Sequence, residues 1–277
     1  MPVAFPIALS GGATVTVSEW RANPQHGAAL CLPALGVPAS YYASLAEALA
    51  MRGVSAVTSD LRGLGASSVR PRRGVDWGYA QLVDDAAMMA AAVRARGPGP
   101  LVLVGHSIGG HVGAILAGAC PGAIDGLALV ACGTPYWRRF GGGMGLQVLA
   151  LAWIARASSA ALGYYPGERI GFAGREAAQL MGEWSRLARY GRFEVAGLDA
   201  ERAIAEARLP VLALPVPGDD KAPGTAVQHL VAKFAATAVT MRGLDPARFD
   251  PRGRDHIRWV RYPDPVAKAV ADWMQTI

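Results

Sequence analysis

A serine between small residues, at the junction of two apolar runs, most constrains what this chain can fold into. The pentapeptide GHSIG at 105–109 follows apolar residues 101–104 and precedes an apolar stretch that opens at Gly110. Glycines around a serine let the backbone close into a tight strand-to-helix turn, which lifts the hydroxyl above the edge of a sheet. The spacing therefore predicts strand, turn and helix, with Ser107 as the candidate nucleophile.

The same pattern also arises by chance in a glycine-rich chain, and this one has 34 glycines. Two conditions favour the functional interpretation: regular structure on both sides, and partners downstream in the order serine, acid, histidine.

The order of the apolar runs indicates the fold class. Most of the later strand-like runs are continuously apolar, as parallel strands buried on both faces are, and helix-like segments separate them. This alternation predicts an α/β fold with a mostly parallel eight-stranded sheet, helices on both faces, and an antiparallel pair at the N-terminus. The predicted strands are 3–9, 13–18, 28–32, 55–58, 101–104, 127–130, 211–215 and 238–241, and the predicted helices are 40–51, 76–96, 107–119, 225–234 and 265–275.

One interval breaks this rhythm. Residues 133–208 contain no convincing strand, several helical stretches and breakers such as Gly141–Gly143. We expect a helical insertion here, between core parts 1–132 and 209–277. Its apolar stretch 145–162 is interrupted by Gln147 and Arg156 and falls short of the roughly 20 residues of a membrane span. It predicts an amphipathic or buried helix without stable membrane insertion, and loose contact with a membrane surface stays open.

Composition excludes several classes of protein. With 277 residues, 52% hydrophobic and 17% charged, the chain can bury a large core. Residues 1–9 lack a basic region before their apolar residues, so we expect no secretory signal and a cytoplasmic protein. The three cysteines lack C-x-x-C spacing, which argues against a disulfide framework and a zinc site. The net charge of +6 comes from scattered arginines. Nucleic-acid binding is therefore not expected, and steering of an anionic substrate stays open.

A serine hydroxyl needs a base, and a third group that orients the base. His256 lies in the loop 253–257 between the last predicted strand and the last predicted helix, where a catalytic base is typically carried. The other histidines are too close to Ser107 in the chain or fit structural roles: His26, His106, His111 and His229.

Two adjacent carboxylates follow the predicted strand 211–215. Spacing to Pro223 favours Asp219 as the orienting acid, and Asp220 is the alternative. Both side chains could instead solvate the turn or cap the next helix. Acyl transfer also needs two backbone donors for the oxyanion, which we assign to the amides of Ile108 and Leu35, the latter in the loop 33–38. This chemistry needs no metal and no organic cofactor.

With these residues in place the chain resembles the α/β-hydrolases over nearly its whole length. The elbow at Ser107 matches the family's nucleophile pattern, the segment DLRGLG at 60–65 is similar to its D-x-R-G-x-G segment, and acid and histidine follow in the family's order. The resemblance implies that residues 133–208 form a lid.

More narrowly, residues 33–42, 162–167 and 182–184 resemble a bacterial subgroup of predicted hydrolases near the serine aminopeptidase and monoacylglycerol lipase-like branch. Pro33-Ala34 stands where the family often has His-Gly, a change that keeps the backbone donor. The lid aromatics could line an acyl pocket or fill the lid's own core; the candidates for substrate binding are Trp137, Tyr164 and Trp184.

These expectations define a serine hydrolase that acts on a small-molecule ester or related acyl bond. A serine at the elbow disfavours epoxide opening and halide displacement, for which relatives use aspartate. Two alternatives stay open: an amidase or peptidase with the same triad, and a non-catalytic protein that binds a ligand with the same scaffold.

Overall fold

The computed structural model describes residues 1–249 and 255–277. Two residues of the predicted histidine loop, Gly253 and Arg254, lie outside the described residues.

An eight-stranded sheet forms the centre of the molecule. In chain order its strands are β1 (Val3–Ala8), β2 (Thr14–Trp20), β3 (Gly27–Leu32), β4 (Val54–Thr58), β5 (Leu101–His106), β6 (Gly126–Val130), β9 (Val211–Leu214) and β10 (Val239–Met241). The other two strands, β7 (Tyr164–Pro166) and β8 (Arg175–Ala177), form a separate antiparallel pair. The spatial order is β1-β2-β4-β3-β5-β6-β9-β10. Only β1–β2 and β2–β4 pair antiparallel within it. The predicted mostly parallel eight-stranded sheet is confirmed.

Nine helices accompany the strands within the described residues. They are α1 (Ala43–Ala50), α2 (Tyr79–Arg94), α3 (Ile108–Ala119), α4 (Gly142–Leu162), α5 (Gly167–Ile170), α6 (Ala178–Tyr190), α7 (Ala200–Glu206), α8 (Gly224–Val231) and α9 (Asp264–Met274). Short 3-10 helices include Ala39–Tyr42 before α1 and Arg258–Arg261 before α9.

The central strands read as uninterrupted apolar runs because the sheet is covered on both faces. On β5, Leu101 and Leu103 join a core with residues of α2 and α3, whereas Val102 and Val104 join a second core with residues of α1 and α9. Successive side chains of a strand point to opposite faces, so each residue of such a strand must be apolar.

Residues 133–208 differ from the prediction in two respects. We expected no strand there, and the structure has the hairpin β7–β8, whose strands of three residues are too short to show a period-2 pattern. The apolar helix α4 begins at Gly142 rather than 145 and has 21 residues. By length and composition alone it could cross a membrane, which differs from the expectation for 145–162.

Candidate active site

Ser107 occupies a backbone conformation that non-glycine residues rarely adopt. Its φ is 53° and its ψ is −117°, between the last residue of β5 and the first residue of α3. The turn closes because its neighbours lack side chains: a Cβ on Gly109 would lie 2.4 Å from the carbonyl oxygen of Leu32, and one on Gly105 would lie 2.5 Å from the Cα of Gly110. We expected the helix to include Ser107; it starts one residue later, because the elbow takes Ser107 out of helical geometry.

The structure brings Ser107, His256 and Asp219 together. His256 Nε2 lies 3.1 Å from Ser107 Oγ, and His256 Nδ1 lies 2.8 Å from Asp219 Oδ2. A carboxylate only accepts hydrogen bonds, so Nδ1 carries the imidazole proton and Nε2 presents its lone pair to the hydroxyl. This is the arrangement in which a histidine takes the proton of a serine.

The two adjacent carboxylates of the 218–223 turn have different environments. The Asp219 side chain is fully buried, and its Oδ1 accepts from the amides of Lys221 at 2.8 Å and Ala222 at 3.0 Å. Asp220 is exposed and pairs with Lys221 Nζ at 3.3 Å. Of these two carboxylates, it is Asp219 that contacts His256.

The loop after β3 is held at both ends by hydrogen bonds. The Ala34 amide donates to Tyr42 Oη at 2.9 Å, and the Ala39 amide donates to Asp60 Oδ1 at 2.7 Å. Between them, the Val37 amide donates to the Ala34 carbonyl and closes a turn. Leu35 lies in this turn and lines the same cavity as Ile108, the first residue of α3. The first amides of a helix have no intrahelical acceptor, so the Ile108 amide can bind an anion there.

A buried series of hydrogen-bonded side chains joins this loop to the segments that carry Ser107 and His256, and sequence reasoning missed it. Trp259 Nε1 donates to His106 Nε2 at 3.3 Å, so the proton of this imidazole is on Nδ1, 2.6 Å from Tyr42 Oη. Burial lowers the pKa of His106 well below its usual range, so the ring is neutral. His106 precedes Ser107 in the chain, and its ring centroid lies 5.0 Å from that of His256. Nothing in a one-dimensional pattern links these positions.

Two of the remaining histidines have other hydrogen-bond partners, although His111 lines the same cavity as Ser107. His111 Nδ1 faces Tyr79 Oη at 3.1 Å, and Nε2 donates to the Gly133 carbonyl at 2.9 Å. Burial lowers the pKa of His111 to about 4, so this side chain is neutral. His229 pairs with Thr134.

A cavity of about 640 Å³ opens over Ser107. One wall comes from the sheet edge and its loops, including Leu35, Ile108 and His256. Residues 133–208 supply the opposite wall, which is mostly apolar apart from Gln147: Phe140, Met144, Gln147, Val148, Leu151, Ile170, Phe172, Ala173 and Trp184.

Of the three residues predicted to bind substrate, one lines this cavity. Trp184 does so, and it packs against Phe172 with ring centroids 5.3 Å apart. Trp137 and Tyr164 are not among the residues that line this cavity, and their part in substrate binding stays a prediction. Each packs instead against an arginine: Arg138 lies over Trp137 at 5.1 Å, and Arg175 lies over Tyr164 at 3.9 Å. Aromatic type alone does not indicate which way a side chain points.

The residues described here contain no group of three or more His, Cys, Asp or Glu side chains that could hold a metal ion.

The chain matches the family model described as serine aminopeptidase, S33, over residues 23–163, just over half of its length. No curated protein sequence matches it.

Solved structures match along nearly the whole chain. DcsB in complex with its substrate analogue has a TM-score of 0.69 at 16% identity, covering 100% of this chain and 99% of that one. A hydrolase from Pseudomonas aeruginosa PA01 has a TM-score of 0.62 at 20% identity, covering 97% of each. The esterase domain of a Rhodothermus marinus protein has a TM-score of 0.64 at 16% identity, covering 99% and 97%. At these identities the likeness concerns the fold.

Proposed function

The chain belongs to the serine aminopeptidase S33 family of α/β-hydrolases, and on that premise we propose that it is a serine hydrolase cleaving a carboxylic ester or related acyl bond. The observation that carries the proposal is the continuous contact from Ser107 Oγ through His256 to the buried carboxylate of Asp219. Asp219 rather than Asp220 is the proposed acid, since Asp220 is paired with Lys221 at the surface.

In the proposed mechanism Ser107 Oγ attacks the acyl carbonyl while His256 Nε2 takes the hydroxyl proton. Asp219 holds the imidazole in the required tautomer and stabilises its positive charge. Collapse of the tetrahedral intermediate breaks the bond to the leaving alcohol, which receives the proton from His256. Water, deprotonated by the same imidazole, then attacks the acyl-enzyme. The second tetrahedral intermediate breaks its bond to Ser107 Oγ, which takes the proton back from His256 as the acid leaves.

The negative charge of both tetrahedral intermediates falls on the former carbonyl oxygen. The proposed donors to this oxygen are the amides of Leu35 and Ile108. In the loop after β3, the Ala34 and Ala39 amides on either side of Leu35 already donate to Tyr42 and Asp60. Fixed donors of this type contribute several kcal/mol to the rate.

The side chains that line the cavity favour, as substrate, an ester with an apolar acyl group rather than the N-terminus of a peptide. A peptide ammonium needs a free carboxylate, and the carboxylates in the described wall are Asp220 and Asp255. Asp220 contacts Lys221, and Asp255 accepts from the amides of Ile257 and Arg258. Residues 133–208 act as a lid in this proposal, since their apolar side chains face Ser107 across the cavity.

A fluorophosphonate probe tests the nucleophile. We expect it to label the wild-type protein at one site and to leave Ser107→Ala unlabelled, with intact-mass spectrometry as the measurement. Cys132→Ala is the matched control, because its thiol lies next to the elbow, 3.1 Å from the Ser107 carbonyl, and this variant should still be labelled. Labelling of Ser107→Ala would remove Ser107 from this role.

A substrate panel tests the reaction class. We expect p-nitrophenyl esters of increasing acyl length to be hydrolysed faster than aminoacyl anilides. Faster turnover of the anilides would make the protein an amidase. A protein that is not labelled by the probe, yet binds a small ligand stoichiometrically, would be a non-catalytic relative.

A further inference from the structure

Helix α4 is predominantly apolar, yet much of it lies at the surface. It carries one charged side chain, Arg156, in 21 residues, and only 22% of its most apolar window is buried. A helix of this composition is normally enclosed on all sides by protein or lipid. Its environment in the described residues is therefore incomplete.

One side of α4 is already in contact with the protein. Ala152 and Ala155 are fully buried against the neighbouring lid residues, and Ser185 Oγ of α6 donates to the Ala152 carbonyl at 2.8 Å. Met144, Val148 and Leu151 face the cavity. These contacts hold the helix against the molecule, and it would have to abandon them to span a membrane.

The opposite side carries a stripe of apolar residues that are largely exposed. Leu146 is 63% exposed, Trp153 51% and Ile154 48%. Positions three or four residues apart share one side of a helix. We call this side the outer stripe: Leu146, Ala150, Trp153, Ile154, Ala157 and Ala161, all exposed.

Positive charge borders the outer stripe. Arg156 is exposed beside it, and the Arg189 guanidinium lies 4.4 Å from the Trp153 ring centroid. At the far end, Arg73 donates to the Ala161 carbonyl at 2.8 Å. Helix α4 has no acidic residue, and Glu183 of the adjacent α6 is buried, where it accepts from the Tyr79 amide.

We propose that the outer stripe docks on a membrane surface containing anionic phospholipid, with α4 lying in the plane of the interface. Apolar side chains with tryptophan enter the boundary between headgroups and acyl chains, and arginines at its border pair with lipid phosphates. A second copy of the chain fits less well, since a twofold contact would place the same arginines against each other without a carboxylate on either helix. This docking goes beyond the proposed hydrolysis and does not depend on it.

Vesicle flotation of the full-length protein tests the proposal. We expect the protein to float with vesicles of equal parts POPC and POPG, to bind POPC alone weakly, and to be released by added salt. The double variant Leu146→Ser, Ile154→Ser should lower the partition coefficient more than tenfold. Arg156→Gln should lower it about fivefold, the factor expected for one arginine at an anionic surface.

Met51→Ser is the matched control, because Met51 is 81% exposed at the end of α1, and it should bind like wild type. Circular dichroism and thermal melting show that each variant is folded. The proposal is overturned by absence of flotation with POPG, by equal binding to POPC alone, or by undiminished binding of the double variant. It is also overturned if light scattering shows a dimer that the double variant converts to a monomer.

Discussion

The edge of the sheet at Ser107 and residues 133–208 differ in how their buried polar groups are hydrogen-bonded. At the edge, Tyr42 and His106 are hydrogen-bonded to each other and to further partners, and Asp219 accepts from three donors. Among the described residues, the buried side-chain atoms without a hydrogen-bond partner are Trp77 Nε1, Ser159 Oγ and Tyr165 Oη, and the last two lie in 133–208.

A buried carboxyl extends this contrast. Glu176 of β8 accepts a single backbone hydrogen bond, from the Gly174 amide at 3.2 Å, and burial raises its pKa to about 7. An unpaired buried polar group costs free energy, so hydrogen bonding stabilises the edge, whereas residues 133–208 bear the cost of Ser159, Tyr165 and Glu176.

The largest effect, a loss of kcat, should come from replacing the proposed acid Asp219 at the edge of the sheet. Asp219→Asn keeps the shape but favours the wrong imidazole tautomer, so kcat should fall by about 10³–10⁴-fold. Asp220→Asn is the matched control and should change kcat less than about twofold, since exposed ion pairs contribute little. Steady-state kinetics on one ester measures both variants. Equal losses in the two would show that the turn, not the Asp219 contact, matters.

Replacing the buried carboxyl of Glu176, in 133–208, should give the next largest effect. This replacement should be favourable, because it should raise the free energy of unfolding. Burial raises the pKa of Glu176 from its ordinary 4.5 to about 7, so the folded state retains a proton that the unfolded chain has lost between these values. Its contribution to stability is therefore complete below about pH 4.5 and is lost as the pH rises through about 7.

Glu176→Gln removes this dependence. At pH 8 the variant should be more stable than wild type by about 2–3 kcal/mol, and the difference should shrink towards pH 4.5. Chemical unfolding at a series of pH values measures it. Glu183→Gln is the contrasting variant and should destabilise the protein at pH 8, because Glu183 accepts from the Tyr79 and Ala196 amides. A Glu176→Gln variant less stable than wild type at pH 8 would contradict the comparison.

The smallest effect should come from replacing Tyr42, at one end of the hydrogen-bonded series Tyr42, His106 and Trp259. Tyr42→Phe removes the hydroxyl that holds the Ala34 amide, so kcat should fall about tenfold while KM changes little. Binding of a boronic acid that mimics the tetrahedral intermediate should weaken by the same factor, and binding of the product acid should not. Tyr41→Phe, at the neighbouring position, is the control. A loss confined to thermal stability would mean that Tyr42 does not position the oxyanion loop.

Much of the fold was predictable from local pattern. Strands β3, β5, β6 and β9 are continuously apolar because both faces of the sheet are covered, and a continuous run reveals this without any partner. The hairpin β7–β8 was missed because three-residue strands carry no usable period. The length of α4 was underestimated because glycines 142 and 143 at its start resemble a break.

In the candidate site too, some residues were predictable from the sequence and others were not. The elbow at Ser107 is predictable because strain and close packing require small residues at fixed offsets, and His256 stood out because the other histidines had local explanations. The choice between Asp219 and Asp220 needed coordinates, since adjacent residues of one turn differ only in where their side chains point.

The chain by itself determined the layered fold and the order of the candidate catalytic residues, because periodicity and turn chemistry act over a few residues. The tertiary structure alone decided which carboxylate contacts His256 and that Tyr42, His106 and Trp259 are hydrogen-bonded in series. It also decided that Trp184, but not Trp137 or Tyr164, lines the cavity. These facts depend on the direction of side chains from distant segments, which is set by how the layers pack and has no signature in local sequence.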